Sequence, residues 1–314
     1  MKTLLKIFVS LVTLLFIAIS LDWHAVLESI SRLKWWALPM ASLLQVCAFL
    51  VGMTRWHTLL CAHGIAYRRK DLVQPYFIGA FFNNFLPSST GGDAFRIYHI
   101  HRSNHGTAAA FSPVITERVI GLTTLLIISL LVFQFYDGNE LLIARVVDVA
   151  AKLLIIIVLF LIFIGIPACY WPAHRFLERW SEKKIIRGIL TVSETTHEYI
   201  KRPWLVGKIV LISALMHGFI IIVFVSLGQA VGSDLPLGTY PLIVPLILVS
   251  AGLPITIGGL GVREAAGIVL LTSAGMLQPD AAVVSLLFIP TLLLASIPGL
   301  FFFLRQKRDK YRHT

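Results

Sequence analysis

Long apolar runs separated by short polar segments dominate the pattern of the chain. The continuous apolar stretches are 4–21, 37–54, 119–136, 148–170, 206–231 and 281–304. A helix rises about 1.5 Å per residue, so each stretch is about long enough to cross roughly 30 Å of hydrocarbon. Two further apolar stretches, 72–86 and 239–277, are too short or are interrupted. The pattern predicts six crossing helices and two segments that enter the bilayer and return.

The composition places the chain among integral membrane proteins. Of its 314 residues, 57% are hydrophobic and only 14% are charged, whereas a soluble domain has about 25% charged residues. We therefore expect an all-α polytopic membrane protein with a single transmembrane domain over 1–314. The three cysteines, Cys47, Cys61 and Cys169, are far apart. Their number and spacing predict neither a disulfide framework nor a zinc site, and we expect them to be small core residues.

The first apolar run has two interpretations. Lys2 and Lys6 precede apolar residues 7–19, and the residues Ala-Ile-Ser at 18–20 resemble a cleavage site, as in a signal peptide. The repeat described below instead requires a permanent helix here. The next segment, WHAVLESISRLKWW at 23–36, has the pattern of an amphipathic interfacial helix.

Basic residues are distributed unevenly between the two predicted faces of the membrane. With six crossing helices, 20 Lys and Arg residues lie on the side of the N-terminus and 3 on the other side. The positive-inside rule makes the rich side cytoplasmic. Both termini are then cytoplasmic, including a basic tail at 306–314. This topology, together with contact with anionic lipid headgroups, explains most of the net charge of +11, and no nucleic-acid partner is expected.

A glycine-rich phrase occurs twice. PSSTGGDAFR at 87–96 and PITIGGLGVR at 254–263 share the pattern P-x-[ST]-x-G-G-x-x-x-R. The first lies in a predicted re-entrant hairpin at about 72–105, which enters from the cytoplasm. The second lies in a hairpin at about 239–277, which enters from the opposite side. Residues 1–136 and 141–305 then have the same element order in opposite orientations, which is the inverted-topology repeat of many transporters.

The residue types of these motifs suit an anion-binding centre. Proline and glycine interrupt a helix, and the N-terminus of the next helix presents unpaired N–H groups and a partial positive charge. An arginine adds a planar fork for phosphate oxygens. In the alternative interpretation, proline and glycine only shape tight hairpins while the arginines reach the membrane surface. The candidate binding residues are Asn83, Asn84, Ser88, Ser89, Thr90, Gly91, Gly92, Asp93, Arg96, Glu117, Arg118, Thr256, Gly258, Gly259, Arg263 and Glu264.

Two adjacent charge pairs and two amides need partners. Adjacent residues on a helix do not face each other, so Glu117–Arg118 and Arg263–Glu264 each require other partners, with Arg263 a candidate for Glu117. Asn83 and Asn84 lie in an apolar run, where they either tie the hairpin together or line a cavity. The pattern predicts no metal site and no cofactor. Asp93 is also a candidate cap for the helix that follows it.

Three segments together resemble the transmembrane region of lysylphosphatidylglycerol synthases. They are NNFLPSSTGGDAFR at 83–96, ERVIGL at 117–122 and GLPITIGGLGVRE at 252–264. The resemblance covers nearly the whole chain and implies a flippase-like protein that moves lipids between leaflets of a bacterial inner membrane. The full synthases carry a soluble aminoacyl-transferase domain after this region. Here RQKRDKYRHT follows at 305–314, so we do not expect lysyl transfer.

The sequence thus predicts a non-enzymatic lipid transporter for a lipid with a polar, phosphate-bearing headgroup, of the phospholipid or polyprenyl-phosphate type. Two alternatives stay open. One is a membrane enzyme of glycosyl or phosphoryl transfer to a lipid. The other is a non-catalytic scaffold that assembles lipid-biosynthesis enzymes. The headgroup, the transport direction, the energy source and the oligomeric state do not follow from the sequence.

Overall fold

The computed structural model describes residues 2–85, 91–103, 107–138, 140–180, 184–252, 256 and 258–312. The described residues form helices, turns and loops, with no strand among them. The helices are α1 (Lys2–Ser20), α2 (Trp23–Ser31), α3 (Ala37–Ala62), α4 (Arg69–Phe85), α5 (Gly91–Arg102), α6 (Thr107–Phe133), α7 (Leu141–Gly165), α8 (Pro167–Glu178), α9 (Lys184–Ile200), α10 (Pro203–Val231), α11 (Tyr240–Ala251), α12 (Val262–Ser273) and α13 (Gln278–Arg312).

Five of the described helices are long and apolar enough to cross a membrane. They are α3, α6, α7, α10 and α13. The pair α1 and α2 adds a sixth candidate, bent by 85° at the break between them. Asp22 begins the second arm of this bend, because its Oδ1 accepts hydrogen bonds from the backbone N–H groups of His24 and Ala25 at 3.0 and 3.3 Å. The expectation of an all-α polytopic membrane protein is confirmed.

Several helices extend beyond the apolar runs that predicted them. The helix α3 continues to Ala62 although its apolar run ends at residue 54, and α6 begins at Thr107 rather than at residue 119. The helix α7 ends at Gly165, where Pro167 begins α8. Proline removes a backbone donor and is favoured in the first turn of a new helix. The predicted polar segment 171–205 is itself helical in α8 and α9.

Four short helices form the two predicted hairpins. In each half a long helix is followed by a pair of short helices and then by another long helix: α3, α4, α5, α6, and α10, α11, α12, α13. The 12 residues of α5, α11 and α12 span roughly 18 Å each at 1.5 Å per residue, which is too short to cross the hydrocarbon. The opposite orientation of the two halves stays a prediction.

Glycines allow the hairpin backbones to approach each other closely. A Cβ atom on Gly92 would overlap the backbone carbonyl of Gly79, so α4 and α5 meet backbone to backbone. The Cβ position of Gly258, in the second motif, lies 3.5 Å from the backbone oxygen of Asn83. The two motif segments are therefore neighbours, although 175 residues of sequence separate Asn83 from Gly258.

The apolar core lies around α10, α11 and α13. Phe224, Ile243 and Val284 are fully buried there. By contrast α7 exposes large apolar side chains along much of its length, such as Ile156 and Phe160. An apolar outer face of this kind is stable in hydrocarbon rather than in water.

The cysteine prediction was partly wrong. The thiols of all three cysteines are free, which agrees with the absence of a disulfide framework. However, Cys61 and Cys169 are exposed and Cys47 is only partly buried. The two exposed residues lie at the end of α3 and the start of α8, where side chains leave the packed interior.

Candidate functional site

Five charged side chains form a cluster where α3, α5 and α6 meet. The charge cluster consists of Arg55 on α3, Asp93 and Arg96 on α5, and Glu117 and Arg118 on α6. Three positive and two negative groups give it a formal charge of +1. Charged groups at membrane depth are stable only when they are paired or face water, and each of these five has at least one partner inside the cluster.

Glu117 joins two arginines. Its Oε1 accepts hydrogen bonds from Nη2 and Nε of Arg55 at 2.8 and 3.3 Å, and its Oε2 accepts one from Nη1 of Arg96 at 2.7 Å. Arg55 also donates from Nη1 to Oγ of Ser213 on α10 at 3.0 Å. The carboxylate of Glu117 is 3% exposed. It therefore connects α3, α5, α6 and, through Arg55, α10.

Asp93 joins the remaining charges. Its Oδ1 accepts from Nη2 of Arg96 at 2.5 Å, and its Oδ2 accepts from Nε and Nη2 of Arg118 at 3.0 and 2.6 Å. The side chain of Arg118 is 51% exposed, whereas those of Arg55 and Arg96 are 8% and 7% exposed. Arg118 is thus the member of the cluster with an accessible face. Asp93 lies in the first turn of α5 and acts there as an ion-pair partner of both arginines.

Aromatic rings hold the central arginine in place. The guanidinium carbon of Arg96 lies 5.3 Å from the ring centre of Trp56 and 5.1 Å from that of Tyr76. Both distances are within the range of cation–π attraction. Arg96 therefore has two carboxylates and two rings as neighbours, and it is the least able of the three arginines to turn toward a ligand.

Helical geometry explains why these residues meet. Asp93 and Arg96 are three residues apart on α5 and share one face, while the adjacent Glu117 and Arg118 point in different directions from α6. The tip of the hairpin is fixed by Asn83, whose Oδ1 accepts from the backbone N–H of Gly92 at 2.8 Å. That bond satisfies one of the free donors at the start of α5.

The neighbouring amide ties the hairpin to the last helix. Asn84 donates from Nδ2 to the backbone oxygen of Leu292 on α13 at 3.3 Å. Asn83 and Asn84 both line a small cavity, and Asn83 also accepts the bond from Gly92 at the start of α5. The two alternatives that the sequence left open, tying the hairpin and lining a cavity, are therefore both realised.

The charge cluster lines a cavity of about 380 Å³. Four members reach it: Arg55, Arg96, Glu117 and Arg118. The opposite wall is apolar and comes from α6, α10 and α11, with residues Leu122, Leu125, Met216, Ile220, Leu248 and Val249. A smaller cavity of about 110 Å³ adjoins the same side chains of Asn83 and Arg96. The site thus combines one accessible cation with an apolar wall.

Two buried hydrogen-bonding atoms in the cavity wall have no partner among the described residues. They are Oε1 of Gln45 and Nδ1 of His217. Nε2 of His217 lies 3.2 Å from the backbone oxygen of Gly121, so Nε2 carries the proton and Nδ1 is an acceptor. Buried polar atoms in proteins are nearly always paired. Both atoms are covered by neighbouring protein atoms and are not exposed to the cavity.

The second motif forms a turn with its own ion pair. Gly258, Gly259 and Gly261 have φ values of 60°, 78° and 90°, a region that favours glycine. The Oε2 of Glu264 accepts from the backbone N–H of Gly261 at 2.7 Å. Thr256 is buried, and its Oγ1 has no partner among the described residues.

The expectation that Arg263 and Glu264 need other partners was wrong. Arg263 donates from Nε and Nη2 to Oε1 of Glu264 at 2.9 and 2.5 Å, and its guanidinium lies 4.9 Å from the ring of Phe288. At the first turn of α12 the carboxylate folds back toward the turn, where the long arginine side chain reaches it. Arg263 is consequently not the partner of Glu117, whose described partners are Arg55 and Arg96.

The sequence-predicted residues therefore fall into two groups. Asn83, Asn84, Arg96, Glu117 and Arg118 line the two cavities, with Gly91, Gly92 and Asp93 behind them. Thr256, Gly258, Gly259, Arg263 and Glu264 belong to the turn that begins α12 and do not line the cavity. Ser88, Ser89 and Thr90 lie outside the described residues.

Four polar residues of the cavity lining were not predicted from the sequence: Gln45, Arg55, Tyr76 and His217. Arg55 follows the apolar run that ends at residue 54. The pattern therefore assigns it to the cytoplasmic loop after that run. The sequence feature that could have identified such residues is a charged or amide side chain that lies one or more turns inside a long helix. Arg55 and Arg96 are buried, but removing them from the basic side leaves the bias of 20 to 3 essentially unchanged.

Comparison with known proteins places the chain in a family. Residues 3–299 match the family described as the lysylphosphatidylglycerol synthase TM region. Among relatives, a UPF0104 membrane protein of Pyrococcus horikoshii is 25% identical over 81% of this chain and 84% of its own length. A UPF0104 membrane protein of Methanocaldococcus jannaschii is 29% identical over 31% of this chain and 30% of its own.

The fold and the buried charge cluster define a polytopic membrane protein with a polar centre. The family match covers nearly the whole chain. The chain therefore belongs to the family of the lysylphosphatidylglycerol synthase transmembrane region.

Proposed function

We propose that this protein moves a lipid with a phosphate-bearing headgroup across the membrane, and that the 380 Å³ cavity binds the headgroup on the way. One observation carries the proposal. A cluster of five paired charges with an excess of one positive charge opens onto this cavity through a half-exposed Arg118.

Electrostatics favour a single negative charge in the cavity. Opposite charges attract far more strongly in a protein interior than in water, so the excess positive charge is compensated when an anion enters. A phosphodiester carries one negative charge. Its oxygens match the planar arginine fork.

Arg118 is the member of the cluster that exchanges partners. Two of its hydrogen bonds go to one oxygen of Asp93, which keeps a second bond to Arg96 through its other oxygen. When a phosphate oxygen replaces Asp93 as the acceptor, Asp93 still has Arg96 as a partner. The exchange therefore leaves no buried charge unpaired. Arg55 and Arg96 hold the cluster together instead.

The remaining cavity walls describe the rest of the ligand. Gln45 and His217 add polar side chains to the cavity lining, and their unpaired acceptor atoms are covered by protein. The apolar wall of α6, α10 and α11 suits the glycerol or prenyl carbons next to the phosphate, while the tails stay in the bilayer. The family name refers to an enzyme of phospholipid synthesis, which supports a phospholipid as the first class to test.

The hairpins supply the architecture of transport in this proposal. Two opposed re-entrant hairpins whose tips meet near Asn83 and Gly258 would allow the centre to open alternately to each side, as inverted repeats do. The turn residues Thr256 to Glu264 shape the second tip. The same topology places both termini in the cytoplasm.

The pairing of the carboxylates favours transport over catalysis. Among the described residues of the cluster, both Asp93 and Glu117 accept hydrogen bonds from two arginines. A general acid or base needs a substrate proton within hydrogen-bond reach, and each of these carboxylates has both oxygens occupied by guanidinium donors. Neither group is therefore suited to proton transfer.

The test is a headgroup panel in proteoliposomes. The purified protein is reconstituted with trace fluorescent phosphatidylglycerol, phosphatidylethanolamine, a polyprenyl phosphate or a neutral diacylglycerol, and translocation is followed by loss of fluorescence to a membrane-impermeant quencher. The proposal expects faster translocation of at least one phosphate-bearing lipid than of diacylglycerol, relative to protein-free vesicles. Equal rates for all lipids, or none above the protein-free vesicles, would reject it.

A further inference from the structure

A second polar cavity lies away from the charge cluster, where α3 ends and α4 and α10 begin. It has a volume of about 470 Å³. Its polar lining includes His57, Arg69, Arg202 and Lys208, with Trp204 at its edge. These five residues are called the basic groove. None of them lines the central cavity.

Two of the basic groove residues are held by backbone contacts. Arg202 donates from Nη1 to the backbone oxygen of Ala62 at 3.2 Å, and Nε2 of His57 lies 3.0 Å from the backbone oxygen of Tyr67. Neither contact neutralises a charge. The positions of the groove walls are therefore fixed while the positive charge of Arg202 stays in place.

The positive charge of the groove exceeds the negative charge near it. Among the described residues, no carboxylate lies within salt-bridge distance of Arg69 or Lys208. Glu194 and Glu198 line an adjoining cavity that shares Arg202 with the groove, and Asp71 lies two residues after Arg69 in the first turn of α4. Glu198 is already paired with Lys201 at 2.9 Å. The groove therefore attracts anions.

The groove lies at the level of lipid headgroups. The membrane-spanning helix α10 begins at Pro203, so Trp204 and Lys208 occupy its first two turns. Trp204 is 86% exposed. Exposed tryptophan at the end of a span is typical of the interface between hydrocarbon and water, where a lysine on the next turn meets the phosphates. The helix N-termini of α4 and α10 add partial positive charge on the same side.

We propose that the basic groove binds the phosphate of an anionic phospholipid from the surrounding leaflet, as a site separate from the transport cavity. Arg69 and Lys208 contact the phosphate, Arg202 forms the fixed wall, and Trp204 packs on the glycerol and upper acyl carbons. This inference does not rest on the proposed transport function. The groove faces bulk lipid, and its occupant stays in its own leaflet.

The experiment measures lipid binding to delipidated, detergent-solubilised protein by native mass spectrometry. Phosphatidylglycerol and phosphatidylcholine are titrated separately, and inorganic phosphate is added as a competitor in large molar excess. The test variant is Arg69→Gln/Lys208→Gln. The matched control is Arg68→Gln/Lys70→Gln, which removes the same charge from neighbouring exposed positions that do not line the groove.

The proposal expects the test variant to lose the tightest phosphatidylglycerol site, with a dissociation constant raised about tenfold or more, because the two basic groups that contact the anionic headgroup are removed. The control variant raises the dissociation constant for phosphatidylglycerol less than about threefold, because its lost charges lie outside the groove. Phosphatidylcholine binding is unaffected in both variants. Lys208→Arg retains the site, which shows that a basic group at residue 208 suffices and that the fold is intact.

Three results would overturn the proposal. Equal losses in the test and control variants would show general charge attraction without a site. Equal affinity of the wild-type protein for phosphatidylcholine would show that the net negative charge of the lipid is not what is recognised. Complete displacement of the lipid by inorganic phosphate would assign the groove to free phosphate. Failure of this site would leave the headgroup panel of the central cavity unaffected.

Discussion

Replacing Glu117 by glutamine tests the charge cluster as a structural unit. The substitution keeps the size of the side chain and removes one negative charge, which raises the formal charge of the cluster from +1 to +2. Glu117 is 3% exposed, and its partners Arg55 and Arg96 are 8% and 7% exposed. Water therefore has little access to replace the lost attraction.

The expected loss of stability follows from this burial. Removing one partner of a buried ion pair destabilises a protein by about 3–5 kcal/mol. At roughly 2–4 °C per kcal/mol for chains of this order of size, the melting temperature falls by about 6–20 °C. Glu198→Gln is the control, since its pair with Lys201 lies outside the spanning helices and is exposed, with side chains 60% and 48% accessible. An exposed pair contributes about 0–1 kcal/mol.

The assay is thermal unfolding in one detergent, followed by tryptophan fluorescence, with the double variant Arg55→Gln/Glu117→Gln as a further arm. Because the double variant removes a positive and a negative charge together, we expect it to be more stable than the sum of the single changes by about 1–3 kcal/mol. The reasoning is refuted if Glu117→Gln unfolds within about 2 °C of the wild type, or if the two single changes are additive.

Two other predictions follow from the fold. Gly92→Ala should destabilise the protein by about 2 kcal/mol or more, or prevent its folding, because the added Cβ would overlap the carbonyl of Gly79. The control is Gly207→Ala, because the Cβ position of Gly207 is open space. In the same melting experiment this control should match or slightly exceed wild-type stability. In a cysteine-free background, Ala66→Cys should react with an impermeant maleimide only from the cytoplasm and Asp137→Cys only from outside; labelling of both from one side would remove the inverted-repeat prediction.

The sequence was sufficient for the architecture because membrane insertion depends on long, local features. Apolar length predicted the spans, and the breaks around the two glycine motifs predicted the short helices α4, α5, α11 and α12. Helix ends were less predictable. The apolar run that predicted α3 stops before Arg55, yet the helix continues to Ala62. The local pattern shows the charge of Arg55 only as an interruption, whereas in the fold the buried carboxylate of Glu117 compensates that charge.

The site was partly predictable for the same reason. The motif residues Asn83, Arg96, Glu117 and Arg118 could be found because polar groups inside apolar segments require partners. The sequence did not show which of these groups form pairs, since Arg55 and Glu117 are 62 residues apart in sequence. The rule that adjacent helix residues do not meet failed at Arg263 and Glu264, where the pair lies in the first helical turn and the glutamate folds back onto the preceding glycine turn.

The most direct test of the central claim is the translocation rate of Arg118 variants in proteoliposomes, using whichever phosphate-bearing lipid the wild-type protein moves fastest. Arg118 is half-exposed at the cavity, so Arg118→Gln should fold but lose most transport, by about tenfold or more for a lost charged hydrogen bond. Arg118→Lys should be intermediate, because it keeps the charge and loses the fork. The exposed Arg145→Gln should transport at the wild-type rate. A folded Arg118→Gln protein that moves the lipid as fast as the wild type would contradict the account.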